Sequence, residues 1–191
     1  MILIEPPRST IAARRDPLNR RELARFAALA VEAAGARGSI SVLLTDDERL
    51  RELNRQFRRK NKPTDVLSFP SLEEEISGSG RRRAGDLAIS LDTAARQAEA
   101  FGHSLADEVR VLILHGALHL AGYDHEADNG EMARLEQRLR KRFGLPAGLI
   151  DRVQRAAAPT GRPRKAATSV GNGHAGLPKG PAKDPAKRRR A

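Results

Sequence analysis

Three of the five histidines in this chain fall within eleven residues, HGALHLAGYDH, at His115, His119 and His125. Side chains four apart on a helix lie one above the other, with Cβ atoms about 5–6 Å apart. The imidazoles of His115 and His119 can therefore converge on one ion at roughly 2.0–2.1 Å. The run before them, Asp107 to Leu114, is apolar enough for a buried helix, with Ser104 and Asp107 as its capping start. Gly122, three residues after His119, suits the left-handed turn that ends a helix and swings the chain back. His125 can then supply a third ligand. Three neutral imidazoles with a fourth position left to water describe a catalytic zinc site rather than a closed structural one.

The spacing HxxxHxxGxxH is similar to that of the metzincin peptidases except at one position. Those enzymes carry a glutamate general base directly after the first histidine, and here that residue is Gly116. The peptidase reading loses its base while the metal set survives. HGALHLAGYDH instead resembles the signature of the YbeY-type endoribonucleases, bacterial metal-dependent proteins of rRNA maturation. Two further blocks resemble the same family in the same order. One is Glu52-Leu53-Asn54, Phe57-Arg58 and Lys62-Pro63-Thr64-Asp65-Val66-Leu67-Ser68-Phe69-Pro70; the other is Gly85-Asp86-Leu87-Ala88-Ile89. The resemblance spans about residues 39 to 144. It implies a mixed, mainly parallel sheet with the metal site at the end of a central helix, and an essential role for Arg58, the arginine of the NxxxR block. By residue type alone, Arg55 and Arg59 have the same claim.

A tri-imidazole zinc lowers the pKa of a bound water to about 7 and polarises a phosphoryl oxygen. Phosphodiester cleavage gathers negative charge on the phosphorus oxygens, so a cation facing the metal stabilises the transition state more than the ground state. Arg58 is the candidate for that cation, beside His115 and His119. Attack by water at the ion and attack by the neighbouring 2′-OH are both compatible with these residues. Zinc, one per chain, suits three imidazoles; nickel, copper and iron fit nearly as well. Asp124 and Asp86 are candidate partners for the imidazole N–H groups. Tyr123, the one tyrosine, is expected to pack against the helix end.

From 49 to 62 the chain carries seven basic residues against Glu52 alone. A solvated helix face mixes both signs more often than this. Arg55, Arg58, Arg59, Lys60 and Lys62 therefore read as an RNA-phosphate surface, because arginine forks match phosphate oxygens. The overall charge of +11 is less informative: residues 151–191 hold eleven Lys/Arg against two acids, the first 150 only twenty-four against twenty-two. At 3% aromatic residues, stacking platforms for single strands are scarce, which points to backbone and shape contacts.

The elements that must position these residues alternate between the strand and helix periods. Ile2-Leu3-Ile4 is a short edge strand ended by Pro6-Pro7. After Asp16-Pro17, Asn19 and Glu22 cap a helix with Leu23, Phe26, Ala27, Ala30, Val31 and Ala34 on its core face, stopped by Gly35. Ile40, Val42 and Leu44 alternate in a strand. Thr45 with Glu48 opens a helix with apolar positions Leu50, Leu53 and Phe57. Val66 to Phe69 is a strand that prolines at each end place at a sheet edge, residues 71–84 a loop, and Leu87 to Leu91 the next strand. Asp92 or Thr93 caps a short helix to Phe101. The histidine helix follows at 104–121. Asp128 and Glu131 cap a last helix, with Met132, Leu135, Leu139 and Phe143 buried and Arg138, Arg140, Lys141 and Arg142 outside. This is an α/β (α+β layered) single domain: a small mixed, mainly parallel sheet of about four strands packed with about five helices. One antiparallel pairing joins 66–69 to 87–91, which no helix separates.

The domain is expected to occupy 1–150, followed by a disordered basic tail at 151–191 that cannot bury enough apolar surface to offset its ordering entropy. Lys187-Arg188-Arg189-Arg190 reads equally as an rRNA contact or a solubilising end. No run is long enough for a membrane span, no signal-peptide pattern opens the chain, and there are no cysteines, so a soluble cytoplasmic protein is expected. The resemblance implies a single-strand-specific endoribonuclease of small-subunit (16S) rRNA 3′-end maturation and ribosome quality control, with rRNA and ribosomal proteins as partners. The alternatives are a non-catalytic ribosome-assembly factor with a structural metal, and a metallopeptidase.

Overall fold

Alternation along Ser39–Thr45 (β2) sends Ile40, Val42 and Leu44 to one side of a sheet, all nearly inaccessible to solvent. Ile2–Ile4 (β1) and Arg83–Ser90 (β4) flank β2, both parallel to it, with Leu3 opposite Leu43 and Leu43 opposite Ala88. Val66–Pro70 (β3) pairs antiparallel with β4 and closes the order β1-β2-β4-β3. The four-stranded mixed sheet and the single antiparallel pair are those expected from the sequence, and Pro70 ends the edge strand β3. The computed structural model describes residues 1–5, 18–71, 82–125 and 127–146. The Pro6-Pro7 strand stop, the Asp16-Pro17 approach to the first helix, most of the 71–84 loop and the tail fall outside the described residues. The loop is shorter than expected at its far end: Arg83 and Ala84 already belong to β4.

The two sheet faces carry different loads. Val42, Leu44, Leu87 and Ile89 share the main core with helices Arg20–Ala34 (α1), Leu91–Phe101 (α3), Leu105–Leu120 (α4) and Glu131–Phe143 (α5). Leu67 and Ala88, on the opposite face, are covered by Asp47–Arg58 (α2) through Leu50 and Leu53. Helix α4 is central. Val109, Val111, Leu112, Ile113, Leu114, Ala117 and Leu118 are all buried, as a helix apolar around its whole circumference requires. Each fully buried Leu or Ile there contributes about 1.5–3 kcal/mol. The chemistry-bearing end of the helix is thus held by its interior run.

Caps are where the sequence reading is corrected. Helix α2 is capped by Asp46, whose carboxylate accepts the Arg49 N–H at 2.9 Å; Thr45 remains in β2 and donates its hydroxyl to Glu5. Helix α3 starts two or three residues earlier than expected, on Ser90, which accepts the Thr93 N–H. In both places adjacent residues are all competent caps, and the end of strand pairing decides among them. Asn19, Ser104 and Gly35 act as expected. Arg140, expected outside, is buried and donates to the Pro146 carbonyl at 2.5 Å. Phe57, expected inside, is 58% exposed.

Candidate metal centre

Helix α4 ends at the histidines through a turn that glycine makes possible. Gly122, at φ +92°, donates its N–H to the His119 carbonyl at 3.0 Å, and Tyr123 donates to the Leu118 carbonyl at 3.1 Å. This pair of bonds is the Schellman motif, and a non-glycine at that φ costs about 1–2 kcal/mol. Tyr123, expected against the helix end, is half-buried against the main core. The chain then turns again: the Ala127 and Asp128 N–H groups donate to the Asp124 carbonyl at 3.1 and 2.8 Å. His125 lies inside that turn. The Asp128 carboxylate accepts the N–H groups of Gly130 and Met132, each at 2.7 Å. The Met132 bond, ahead of those from Gly130 and Glu131 and against some desolvation, lowers its pKa below the ordinary 3.8. The cap residue of α5 is Gly130 rather than the expected Asp128, which holds the first turn from two residues outside it, and α5 docks on the core through Met132 and Leu139.

These turns bring the three imidazoles together. One ring nitrogen from each of His115, His119 and His125 lies within 4.8 Å of the others, with His115 buried, His119 half-buried and His125 exposed. The centroids stand 4.8, 5.4 and 5.3 Å apart. The Nε2 atoms of His115 and His119 are 3.1 Å apart. Two nitrogens held by one tetrahedral ion at 2.0–2.1 Å stand about 3.3–3.4 Å apart, so this spacing fits a shared ion.

Electrostatics favour the same use. Burial first, then the neighbouring His115 and His125, lower the His119 pKa from 6.5 to about 4, against the upward pull of the Tyr123 backbone bond and of Asp124. At neutral pH His119 is an uncharged imidazole with a lone pair to offer. The Nδ1 of His115 lies 3.1 Å from Oε1 of Glu136, a buried carboxylate on α5. An ionised carboxylate only accepts, so the proton belongs on Nδ1 and the Nε2 lone pair faces His119. The donor set is able to hold a metal ion.

Glu136 was not among the sequence candidates for this partner role. Its signal was present: an acid one helical turn from both Met132 and Leu139, on the apolar face of α5, must have a buried reason to be there. Asp86, one of the two candidates, is excluded by strand parity. Its side chain shares the α2 face with Ala88, away from α4, and is ion-paired with Arg83. Asp124 is near enough to act on the charge of His119, while its backbone carbonyl closes the His125 turn.

Gly116 owes its identity to packing. A Cβ there would stand 2.6 and 2.9 Å from the Leu87 methyl carbons of β4. The position after His115 thus faces the sheet, and a glutamate there would be driven into the core. Gly85, at φ +149°, does similar work from the strand side. A Cβ would meet the Phe69 carbonyl oxygen at 2.3 Å and Leu120 at 2.7 Å, so glycine lets the end of β3 and the end of α4 meet.

The basic residues sit at that same end, on the other face. Helices α2 and α4 both run back along the sheet, and the end of α2 reaches β3 where Phe57 meets Phe69, ring centroids 5.0 Å apart. Arg55, Arg58, Arg59, Lys60 and Lys62 are all exposed. None of them forms an ion pair among the described residues, whereas Arg49 pairs with Glu52 at 2.9 Å. Buried Asn54 organises the turn after α2: its side-chain amide donates to the Lys62 carbonyl at 2.7 Å and its backbone carbonyl accepts the Lys60 N–H. Arg59 takes φ +57°, a conformation uncommon for a side chain of its size.

Comparison with known proteins agrees with the motif reading. The family model described as Endoribonuclease YbeY matches residues 14–144. A protein of that name from Koribacter versatilis is 49% identical over 148 residues, 78% of this chain and 93% of its own. Its counterpart from Solibacter usitatus is 48% identical over 151 residues, covering 78% and 97%. One from Nautilia profundicola is 55% identical over 113 residues, covering 59% and 78%. With the match running through the basic helix end, the edge strand, the Gly85 strand and all three histidines, this chain belongs to the YbeY endoribonuclease family.

Proposed function

We propose that this chain is a metal-dependent endoribonuclease that cleaves single-stranded RNA, with His115, His119 and His125 holding one divalent transition-metal ion, zinc first among them. As a member of its family the protein is a hydrolase of RNA phosphodiester bonds. The observation that carries the metal assignment is the convergence of three imidazole nitrogens within 4.8 Å, one of them oriented by Glu136. When bound, the ion supplies Lewis acidity toward a phosphoryl oxygen and acidifies a water molecule. His115 and His119 present lone pairs from a rigid helix end, and His125 closes the set from the solvent side. Arg58, with Arg55, Arg59, Lys60 and Lys62, offers positive charge to the RNA backbone from the adjoining helix end, and Arg58 is assigned to the charge that develops at phosphorus. The substrate proposed from the family resemblance is the 3′ end of small-subunit (16S) rRNA, in its maturation and in ribosome quality control, with ribosomal proteins nearby in the cytoplasm. No helix among the described residues is long and apolar enough to cross a membrane.

The test is cleavage of a labelled single-stranded RNA by metal-loaded protein. His119→Ala is expected to abolish cleavage with the circular dichroism spectrum retained. Arg58→Ala is expected to keep metal and fold yet lose most activity, well beyond the losses in Arg55→Ala and Arg59→Ala. Full activity in His119→Ala would refute the metal site. Equal losses across the three arginines would replace a dedicated residue by a diffuse field. Elemental analysis of protein purified without added metal identifies the ion.

A further inference from the structure

We infer that Phe57, braced by Phe69, is a stacking platform for one unpaired base of a single-stranded RNA. This inference rests on the ribonuclease reading and adds a base-binding subsite to it. Phe57 lies on α2 at a spacing that the apolar pattern assigns to the core, three and four residues after Asn54 and Leu53. Instead it is 58% exposed, and leaving that much of a phenylalanine in water forgoes on the order of 1 kcal/mol of burial.

The ring is nonetheless fixed. It meets Phe69 edge to face, at 5.0 Å and 70°, and Phe69 is half-buried against the small core of Leu50, Leu67 and Ala88. Its helix end is pinned through Asn54 by the two hydrogen bonds to the 60–62 turn. An aromatic surface held still before a ligand arrives loses little entropy on binding.

The surroundings select the ligand. Arg55, Arg58 and Arg59 flank Phe57 in sequence, Lys60 and Lys62 follow, and all five are exposed without an ion pair among the described residues. An apolar protein partner would have to cover these charges at a desolvation cost. A single-stranded nucleic acid meets both requirements at once, phosphates to the cations and a base to the ring. The position also suits a strand in transit to the histidines. Phe69, under the platform, and Leu120, next to His119, both abut Gly85, so an RNA rounding the end of edge strand β3 passes from one site to the other. Scarcity of aromatic residues in the composition is thus offset locally, since two of the five phenylalanines meet at this one place.

The experiment uses full-length, ion-free protein and two fluorescein-labelled probes of equal length: an oligouridylate, and the same ribose-phosphate chain with no bases. Phe57→Leu keeps an apolar side chain against Phe69 and removes the π face; Phe57→Tyr restores it. Phe57→Leu is expected to weaken oligouridylate binding about 5- to 160-fold, the range for loss of one stacked base. Its affinity for the baseless chain, its salt dependence and its melting temperature should stay those of the wild type, and Phe57→Tyr should bind as the wild type does. Arg59→Ala is expected to weaken both probes and reduce the salt slope. Equal weakening of both probes by Phe57→Leu, or no weakening, overturns the platform while leaving cleavage by the wild type as evidence for the ribonuclease. A wild type that neither binds nor cleaves single-stranded RNA overturns the underlying reading instead.

Discussion

Glu136→Gln and Glu136→Ala separate a carboxylate that organises the metal set from one that merely fills the core. Glu136 is 1% exposed and its Oε1 lies 3.1 Å from the His115 Nδ1. A hydrogen bond to an ionised acceptor is worth about 1.5–3 kcal/mol, and a neutral one about 0.5–1.5. Glutamine keeps an oxygen that can accept from Nδ1–H, so the tautomer survives and about 1–1.5 kcal/mol is lost, close to 10-fold in metal affinity at 1.36 kcal/mol per decade. Alanine removes the acceptor altogether and leaves Nδ1–H unsatisfied beside a cavity, which brings the loss to about 100-fold, the upper end for partners of metal-binding histidines. Zinc dissociation constants from competition with a chromophoric chelator at neutral pH read this order directly. Imidazole nitrogen NMR of the ion-free protein adds an independent check: the Nδ1–H tautomer of His115 should dominate in the wild type and in Glu136→Gln, and be lost in Glu136→Ala. If Glu136→Gln and the wild type bind zinc equally and Glu136→Ala weakens it no further, the carboxylate is a core feature and the orientation argument fails.

Two further outcomes follow from the same geometry. Gly85→Ala should lower stability by about 3 kcal/mol, combining an unfavourable φ with overpacking against backbone, a fall in Tm on the order of 6–12 °C for a domain of this size. Gly35→Ala is the control: its Cβ meets nothing within 4 Å, and only the φ cost of about 1 kcal/mol remains; comparable shifts for the two variants would refute the close approach at Gly85. The ion-free protein should lose stability as pH falls from about 6.5 toward 4. His119 titrates near 6.5 when unfolded and at about 4 when folded, so across that window the unfolded state takes up the proton and gains. Urea midpoints measured in chelator should show this slope weaken in His119→Gln, and an unchanged slope would remove His119 as its source.

The parts of the fold that are periodic were legible in the sequence, and so was the meeting of His115, His119 and His125. Ile40, Val42 and Leu44, the α1 stripe, the lone antiparallel pair and the turn at Gly122 each follow from a local rule strong enough to decide alone. The errors share one physical origin. Asp46 against Thr45, and Ser90 against Asp92, are choices among neighbouring residues that cap equally well, and only the register of the preceding strand selects one. Arg140 and Glu136 look solvent-facing because charge usually is; their burial depends on a carbonyl of the chain past α5 and on an imidazole of α4, neither near in sequence. Phe57 fails in the opposite sense, because periodicity predicts which face a residue shares but not how far the sheet beneath it extends. Helix α2 has only the narrow β3–β4 edge to cover at its end, so its last apolar position overhangs.

That overhang bears on how the basic helix end and the histidines, on opposite faces of the sheet, come to lie at the same end of it. A sheet that continued past β3 would bury Phe57 and separate the basic helix end from the histidines by another strand. Edge position, enforced by Pro70, ends the sheet there, and Gly85 draws the end of α4 against the last residues of β3. The exposed ring and the Leu120 end of α4 therefore border the same short stretch of backbone, Phe69–Pro70. Replacing a polar β3 residue that belongs to neither hydrophobic cluster should for that reason disturb RNA handling more than stability. Ser68, half-buried on the α4 side of the edge strand, is the position where a bulky substitution should impede passage while the ladder from Val66 to Pro70 still forms.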